Sequence, residues 1–198
     1  AAASNLSTMY AMASKPLASG AIETADIFKS LDGGHSWTPL NIASKEHTNG
    51  AAGGWAELFA PAWAKTNSPG TVLGGQGFYN HAIAIDPADP NRAYFSGQLY
   101  TTMTTDGGST WKRATDWMAQ ASTPYVHADS HCTAWGPDGS LYWTSIFTGE
   151  VGQLTPAGEK IVVAQGLMGA NPITVSADGR LFVACDFLGN GLYELDPE

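Results

Sequence analysis

Apolar residues along the chain form short runs rich in β-branched and aromatic side chains, and turn residues separate them. Three segments, residues 81–97, 131–145 and 171–185, follow one order: a polar residue, an apolar run, a turn of Pro, Asp and Gly, and a second run with aromatics. This pattern predicts a β-hairpin that is repeated. The segments start 50 and 40 residues apart (131 − 81 and 171 − 131), so the chain is expected to be a repeat protein.

A third strand is predicted after each hairpin, over residues 98–104, 150–154 and 191–195. The N-terminal stretch fits the same frame from its second strand on, with residues 8–13 as the second strand and 26–31 as the third. The unit is therefore an antiparallel sheet, repeated at the spacing of propeller blades. We predict an all-β fold, a β-propeller with four-stranded antiparallel blades, of which this chain holds about three and a half.

The repeat also predicts the organisation of the chain. Residues 1–198 form a single propeller segment, with blades over about 6–50, 72–122, 123–167 and 168–198 and an insertion over 51–70. A closed propeller has roughly four to eight blades, and a partial ring leaves open strand edges that proteins avoid. A further polypeptide is therefore an expected partner, as the rest of the propeller or as another chain.

Composition narrows the classes of function. Charged residues make up 14% of the chain, and its net charge is −9, which argues against nucleic acid because phosphate binding needs clustered Lys and Arg. No apolar run approaches the roughly 18 residues of a membrane span. Few lysines and many Trp, Gly and Asn favour an extracellular or periplasmic protein. Cys132 and Cys185 form no CxxC motif, which leaves buried thiols and one disulfide as alternatives.

Two segments, residues 30–37 and 104–111, match the pattern Ser/Thr-x-Asp-x-Gly-x-Ser/Thr-Trp. The Asp carboxylate is expected to accept backbone N–H groups across a turn, Gly to supply a positive φ, and Trp to pack against the sheet. These structural positions are Ser30, Asp32, Gly34, Ser36 and Trp37 in the first copy, and Thr104, Asp106, Gly108, Thr110 and Trp111 in the second.

The two turns resemble the Asp-box (BNR) repeats of sialidases, xyloglucan-active hydrolases and sortilin-type propellers. Residues 74–87 and 124–131 look like segments of secreted bacterial BNR-repeat proteins, and this resemblance covers about residues 6–145. The chain departs from sialidases because it lacks their arginine cluster and their Phe/Tyr-Arg-Ile-Pro element. Residues 169–186 are similar to a gluconolactonase or NHL-type blade. In metal-dependent lactonases of that kind, Asn and Asp ligate a divalent ion, and Asn171 and Asp186 are the matching residues.

Candidate chemistry centres on His127, Asp129 and His131, which point to the same side if they lie on a strand. Two imidazoles and a carboxylate can hold a divalent metal, and with Asn171 and Asp186 they form the candidate ligand set for an ion such as Ca or Zn. His131 aligns with His81 and Asn171 at the start of the presumed inner strands. His131, Asp129 and His81 are the catalytic candidates. The alternative is a structural polar network that fixes the loop entering the blade.

Aromatic side chains supply a candidate carbohydrate site. Trp55, Phe59 and Trp63 are four residues apart in the insertion, and Tyr79 and Tyr125 complete the candidate set. These rings could stack on sugars, or they could pack onto a neighbouring blade.

The function expected from the sequence is a secreted, glycan-associated binding or scaffold module without sialidase activity. The first alternative is a metal-assisted lactonase, lyase or glycoside hydrolase with its site at the mouth of the propeller channel. No spacing singles out the carboxylate pair of a glycoside hydrolase, so catalysis stays open. The second alternative is a structural subunit of a larger assembly.

Overall fold

The computed structural model describes residues 4–16, 22–42, 81–97, 100–116, 132–146, 148–186 and 191–196. Within these residues every regular element longer than one residue is a β-strand, and no helix is long and apolar enough to cross a membrane. The chain divides into two compact units, Ala1–Asp129 and Ser130–Glu198. The predicted all-β class is confirmed for the described part of the chain.

The described residues of the first unit form two antiparallel sheets. The first sheet has the order β1-β2-β3 and the second the order β4-β5-β6-β7. Their strands are β1 (Met9–Pro16), β2 (Ile22–Ser30), β3 (Thr38–Pro39), β4 (Ala82–Ile85), β5 (Ala93–Ser96), β6 (Tyr100–Thr104) and β7 (Lys112–Asp116).

The second unit contains the third sheet, of order β11-β10-β9-β8, and the fourth sheet, of order β12-β13-β14. All of its pairings are antiparallel as well. Its strands are β8 (Thr133–Trp135), β9 (Leu141–Ser145), β10 (Glu150–Leu154), β11 (Lys160–Ala164), β12 (Ala170–Val175), β13 (Leu181–Cys185) and β14 (Gly191–Leu195).

The hydrogen-bond register confirms the repeated hairpin. The last pairs before the hairpin turns are Ile85 with Ala93, Trp135 with Leu141, and Val175 with Leu181. These pairs align the three segments in the frame that the sequence predicts. The blade boundaries and the single propeller segment stay predictions.

The pairing of second and third strands extends this frame to the first sheet. Ala93 of β5 pairs with Thr104, and Met9 of β1 pairs with Ser30; these two partners open the two turns of the shared pattern. The first sheet therefore begins at the second strand of the unit, as predicted. One shared feature follows: the second residue of this strand is aromatic in all four sheets, at Tyr10, Tyr94, Tyr142 and Phe182.

Each unit has a buried apolar core. The core of the first unit includes Tyr10, Ile27, Phe95 and Trp111, and the core of the second includes Tyr142, Val151, Leu181 and Val183. Burial of one such side chain stabilises a fold by roughly 1.5–3 kcal/mol. Aromatic and aliphatic side chains from the predicted strands thus form the core of each unit.

The two cysteines are both free thiols, so the disulfide alternative is not realised. Cys185 is buried and Cys132 is half-buried, and both pack in the core of the second unit. The Cys132 thiol donates to the Ile173 carbonyl oxygen at 3.1 Å.

Candidate functional site

The first Asp-Gly-Gly turn is held by one carboxylate. Asp32 Oδ1 accepts the backbone N–H of Ser36 at 2.9 Å, and its Oδ2 accepts the Ser36 hydroxyl at 2.6 Å. The Ser30 hydroxyl donates to Asp32 Oδ1 at 2.7 Å and accepts the Gly34 N–H at 2.9 Å. Gly33 and Gly34 have φ of 73° and 92°, a region that favours glycine. The turn is therefore closed by contacts among neighbouring residues.

The second turn repeats these bonds. Asp106 accepts the Thr110 N–H at 2.9 Å and the Thr110 hydroxyl at 2.6 Å, and the Thr104 hydroxyl accepts the Gly108 N–H at 2.8 Å. Gly107 and Gly108 have φ of 73° and 99°. The structural roles predicted for these positions thus have the same geometric basis in both copies.

Hydrogen bonds to the two turn carboxylates favour their charged form. The Ser36 hydroxyl and N–H, together with Ser30, lower the pKa of Asp32 to about 2. Burial opposes this effect at Asp106, but hydrogen bonds from Thr110, Thr104 and Ser109 outweigh it and hold the pKa below its ordinary value. Both groups stabilise turns as acceptors, and a carboxylate of lowered pKa is a poor proton donor near neutral pH.

His81 joins the first two sheets instead of standing free. Its Nε2 lies 2.5 Å from the Thr24 hydroxyl and its Nδ1 lies 3.5 Å from the Ser14 hydroxyl. Thr24 and Ser14 are cross-strand partners on β2 and β1, so one pair of hydroxyls brackets the imidazole. Burial lowers the pKa of His81, which favours the neutral ring. These contacts hold the His81 ring between β1 and β2, and its catalytic role stays a prediction.

Asn171 and Asp186 are brought together at the ends of two neighbouring strands. The Asn171 amide donates to Asp186 Oδ2 at 3.1 Å, and the Thr144 hydroxyl donates to the Asn171 carbonyl oxygen. Gly169 lies beside them, where a Cβ would stand 1.7 Å from the Asp186 carbonyl oxygen. The two residues matched to lactonase ligands are therefore neighbours. No group of three or more His, Cys, Asp and Glu side chains suited to a metal occurs among the described residues.

The other candidate residues lie outside the described residues. These are the metal and catalytic candidates His127, Asp129 and His131, and the aromatic set Trp55, Phe59, Trp63, Tyr79 and Tyr125. Their roles stay predictions. Of the predicted metal ligands and catalytic candidates, the described residues include His81, Asn171 and Asp186.

Sequence reasoning missed the polar junction around Lys29. Its ammonium donates to Asn91 Oδ1 and to the Gly107 carbonyl oxygen, both at 3.3 Å, and lies 5.4 Å from the centre of the Tyr10 ring. The Tyr10 hydroxyl donates to the Pro90 carbonyl oxygen at 3.0 Å. Burial, with the carboxylates of Asp89 and Asp106, raises the pKa of Tyr10 to about 12. No local signal singled out Lys29, because its strand also carries Glu23, Thr24 and Asp26.

Comparisons with known proteins support the fold. No protein-family profile matches the chain, and no curated protein matches it significantly. A GH74 enzyme of Niastella koreensis is similar in structure, with 20% identity and a TM-score of 0.56 over 98% of this chain and 22% of that one. An ancestral GH74 enzyme has 16% identity and a TM-score of 0.55, over 87% of this chain and 20% of that one.

These likenesses show a fold and nothing finer. The chain spans about a fifth of the length of each GH74 structure. Four antiparallel sheets of three or four strands, with neighbours of this kind, define a β-propeller fold of which the chain forms a part.

Proposed function

We propose that the chain is a binding and scaffold module of a secreted β-propeller, that its two turns are Asp boxes, and that its ligand is a carbohydrate. The observation that carries the proposal is the repeated hydrogen-bond set around Asp32 and Asp106. In each set the carboxylate fixes a turn by accepting hydrogen bonds, as expected in a rigid scaffold. Rigid elements that present loop residues are the usual support of a binding site.

The carbohydrate ligand is proposed from two further considerations. Two of the solved structures that the chain resembles are GH74 enzymes, which are glycoside hydrolases. The insertion carries Trp55 and Trp63, and aromatic rings stack on the apolar faces of sugars. Export to an extracellular or periplasmic space is part of the same proposal, since polymeric glycans are met there.

Retention on immobilised polysaccharides tests this function. We expect the purified chain to bind at least one member of a panel of plant and bacterial polysaccharides, and Trp55→Ala and Trp63→Ala to weaken binding about tenfold, the equivalent of ~1.4 kcal/mol. Tyr193→Ala is the control, since Tyr193 is a 37% exposed aromatic residue outside the insertion. Absence of binding across the panel would contradict the proposal.

A metal-assisted enzyme is the second candidate, and the contact between Asn171 and Asp186 favours it. Both side chains carry the oxygen atoms that Ca²⁺ prefers. Metal analysis after dialysis against Ca²⁺ or Zn²⁺ tests it: we expect one ion per chain, lost in Asp186→Asn and kept in the control Asp178→Asn. A metal-free wild-type chain would remove this candidate.

A further inference from the structure

The contact between the first two sheets shows how one sheet of this protein covers another. Tyr10 and Ile27 of the first sheet, with Ile42 beyond β3, share a buried core with Phe95 of the second sheet and Trp111 of its turn. The Phe95 ring lies 5.5 Å from that of Tyr10 and 5.3 Å from that of Trp111. The first sheet therefore packs against the face of the second sheet that carries Trp111, the tryptophan of the second turn.

A cation completes this contact. Lys29 donates to the Gly107 carbonyl oxygen within the Asp106 turn, and the Asp106 carboxylate attracts it. The Leu40 side chain meets Gly108, where a Cβ would lie 2.6 Å from Leu40 Cδ1. The covering sheet thus supplies an aromatic ring, aliphatic side chains and a cation, and the receiving sheet supplies a tryptophan and a carboxylate turn.

The first sheet repeats the receiving side. By strand register and turn position, its Ala11, Phe28 and Trp37 match Phe95, Thr102 and Trp111. The three residues of the second sheet are 0%, 0% and 1% exposed, whereas Trp37 is 41% exposed. Ala11 and Phe28 are half-buried. We call Ala11, Phe28 and Trp37 the Trp37 face.

The fourth sheet repeats the covering side. Its Phe182 and Leu192 match Tyr10 and Ile27 in register. The Arg180 guanidinium lies 5.6 Å from the Phe182 ring, as Lys29 lies 5.4 Å from that of Tyr10, although the register match of Lys29 is Glu194, to which Arg180 donates at 3.0 Å. Leu192 is 74% exposed where Ile27 is 0% exposed. We call Phe182, Leu192 and Arg180 the Leu192 face.

We propose that the Trp37 face binds the Leu192 face of a second copy of this chain, head to tail. Leu192 and Phe182 pack on Trp37 as Ile27 and Tyr10 pack in the core with Trp111, and Arg180, which also holds Asp178 and Glu194, is the cation beside this contact. Such a contact joins two different surfaces. In a pair, one copy therefore keeps its Trp37 face free and the other keeps its Leu192 face free. The contact goes beyond the proposed carbohydrate site, because it uses no residue of the insertion.

Molar mass from light scattering after size exclusion tests the contact. About 100 µM exceeds the Kd that we expect for a modest interface. At that concentration the wild-type chain should show a molar mass of at least twice 20.8 kDa. Trp37→Glu and Leu192→Glu should each return to 20.8 kDa, because either charge would be buried in the contact. Ile161→Glu is the matched control, since Ile161 is a 39% exposed aliphatic residue on the third sheet.

Mixing distinguishes this contact from a symmetric one. Trp37→Glu keeps its Leu192 face and Leu192→Glu keeps its Trp37 face, so an equimolar mixture should form pairs. The double variant mixed with Trp37→Glu should stay monomeric, because neither chain then offers a Trp37 face. A symmetric contact of two Trp37 faces would not be restored in the first mixture.

Three results would overturn the proposal: a monomeric wild type at every concentration, association that survives Trp37→Glu, or no pairing in the complementary mixture. Far-ultraviolet circular dichroism and the thermal midpoint check that each variant is folded. If a Glu variant unfolds, Trp37→Ala and Leu192→Ala take its place, with at least a tenfold loss of association expected. If the wild-type chain does not pair but still binds polysaccharide, this inference is wrong and the proposed function stands.

Discussion

Trp37 and Trp111 make the same indole hydrogen bond but differ in burial. The Trp37 ring donates to the Gly34 carbonyl oxygen at 3.0 Å and the Trp111 ring to that of Gly108 at 3.1 Å. Trp111 is 1% exposed and Trp37 is 41% exposed. The indole hydrogen bond forms within each turn. The burial of the tryptophan depends instead on whether another sheet covers its ring.

The first prediction follows from this difference. Trp111→Ala should lower the free energy of unfolding by about 3–5 kcal/mol, because it empties a packed core site. Trp37→Ala should cost about 1 kcal/mol, mainly from the lost hydrogen bond and partial packing. Urea denaturation of both variants, at a concentration where the wild type is monomeric, measures the two losses. Equal losses would contradict the assigned burial.

The second prediction concerns acid. The pKa of Asp32 is about 2 in the folded chain and ordinarily 3.8, so the folded state binds fewer protons there. The stabilisation from this group is complete above pH 3.8 and is lost as the pH falls through about 2. Carboxyl chemical shifts of Asp32, followed by NMR titration, should give the low value in wild type and a higher one in Ser36→Ala. An unchanged value in Ser36→Ala would show that the Ser36 bonds do not cause the shift.

The third prediction concerns His81 near neutral pH. Burial lowers the pKa of His81 below its ordinary 6.5, so the folded state resists protonation. Its contribution to stability is complete above pH 6.5 and falls as the pH drops below that value towards the folded pKa. The thermal midpoint should therefore drop between pH 7 and 5 more steeply in wild type than in His81→Gln, which does not titrate. Parallel profiles would argue against burial of the ring.

The fourth prediction tests a close approach in the third sheet. A Cβ at Gly152 would lie 2.1 Å from the Trp143 indole, and the two residues are cross-strand partners. Gly152→Ala should cost about 1–3 kcal/mol from overpacking. In a Trp143→Ala background the same change should cost much less, and a double-mutant cycle from denaturation curves measures the coupling. Additive effects would exclude this contact as the reason for glycine.

The fifth prediction concerns the cysteines. Burial and the nearby Asp186 carboxylate raise the pKa of the Cys185 thiol, and thiolate is the reactive form. Half-buried Cys132 should therefore be alkylated before Cys185 in native protein, with two thiols per chain in denaturant. Peptide mass mapping after timed alkylation gives the order. A chain with no titratable thiol in denaturant would mean that the two are bridged.

The alternation of strands and turns was predictable because it rests on local chemistry. The hairpins, the third strands and the match of residues 8–13 to a second strand were all predicted from residue pattern. The turn bonds of Asp32 and Asp106 span at most four residues, so their residue types are enough to identify them. The sequence likewise pointed to Asn171 and Asp186, although only through a resemblance.

Tertiary structure decided which of these features are used for packing and which are left open. His81 meets Thr24 across 57 residues, and Lys29 meets Gly107 across 78, so neither contact leaves a trace in a local pattern. The sequence alone determined the hairpin strands, the third strands and the two carboxylate turns, because each is closed by nearby residues; it did not place the fourth strands β3, β7 and β11. The burial of Trp111, the exposure of Trp37 and the bracketing of His81 were decided only by which sheet lies against which, since burial is a property of the assembled neighbours.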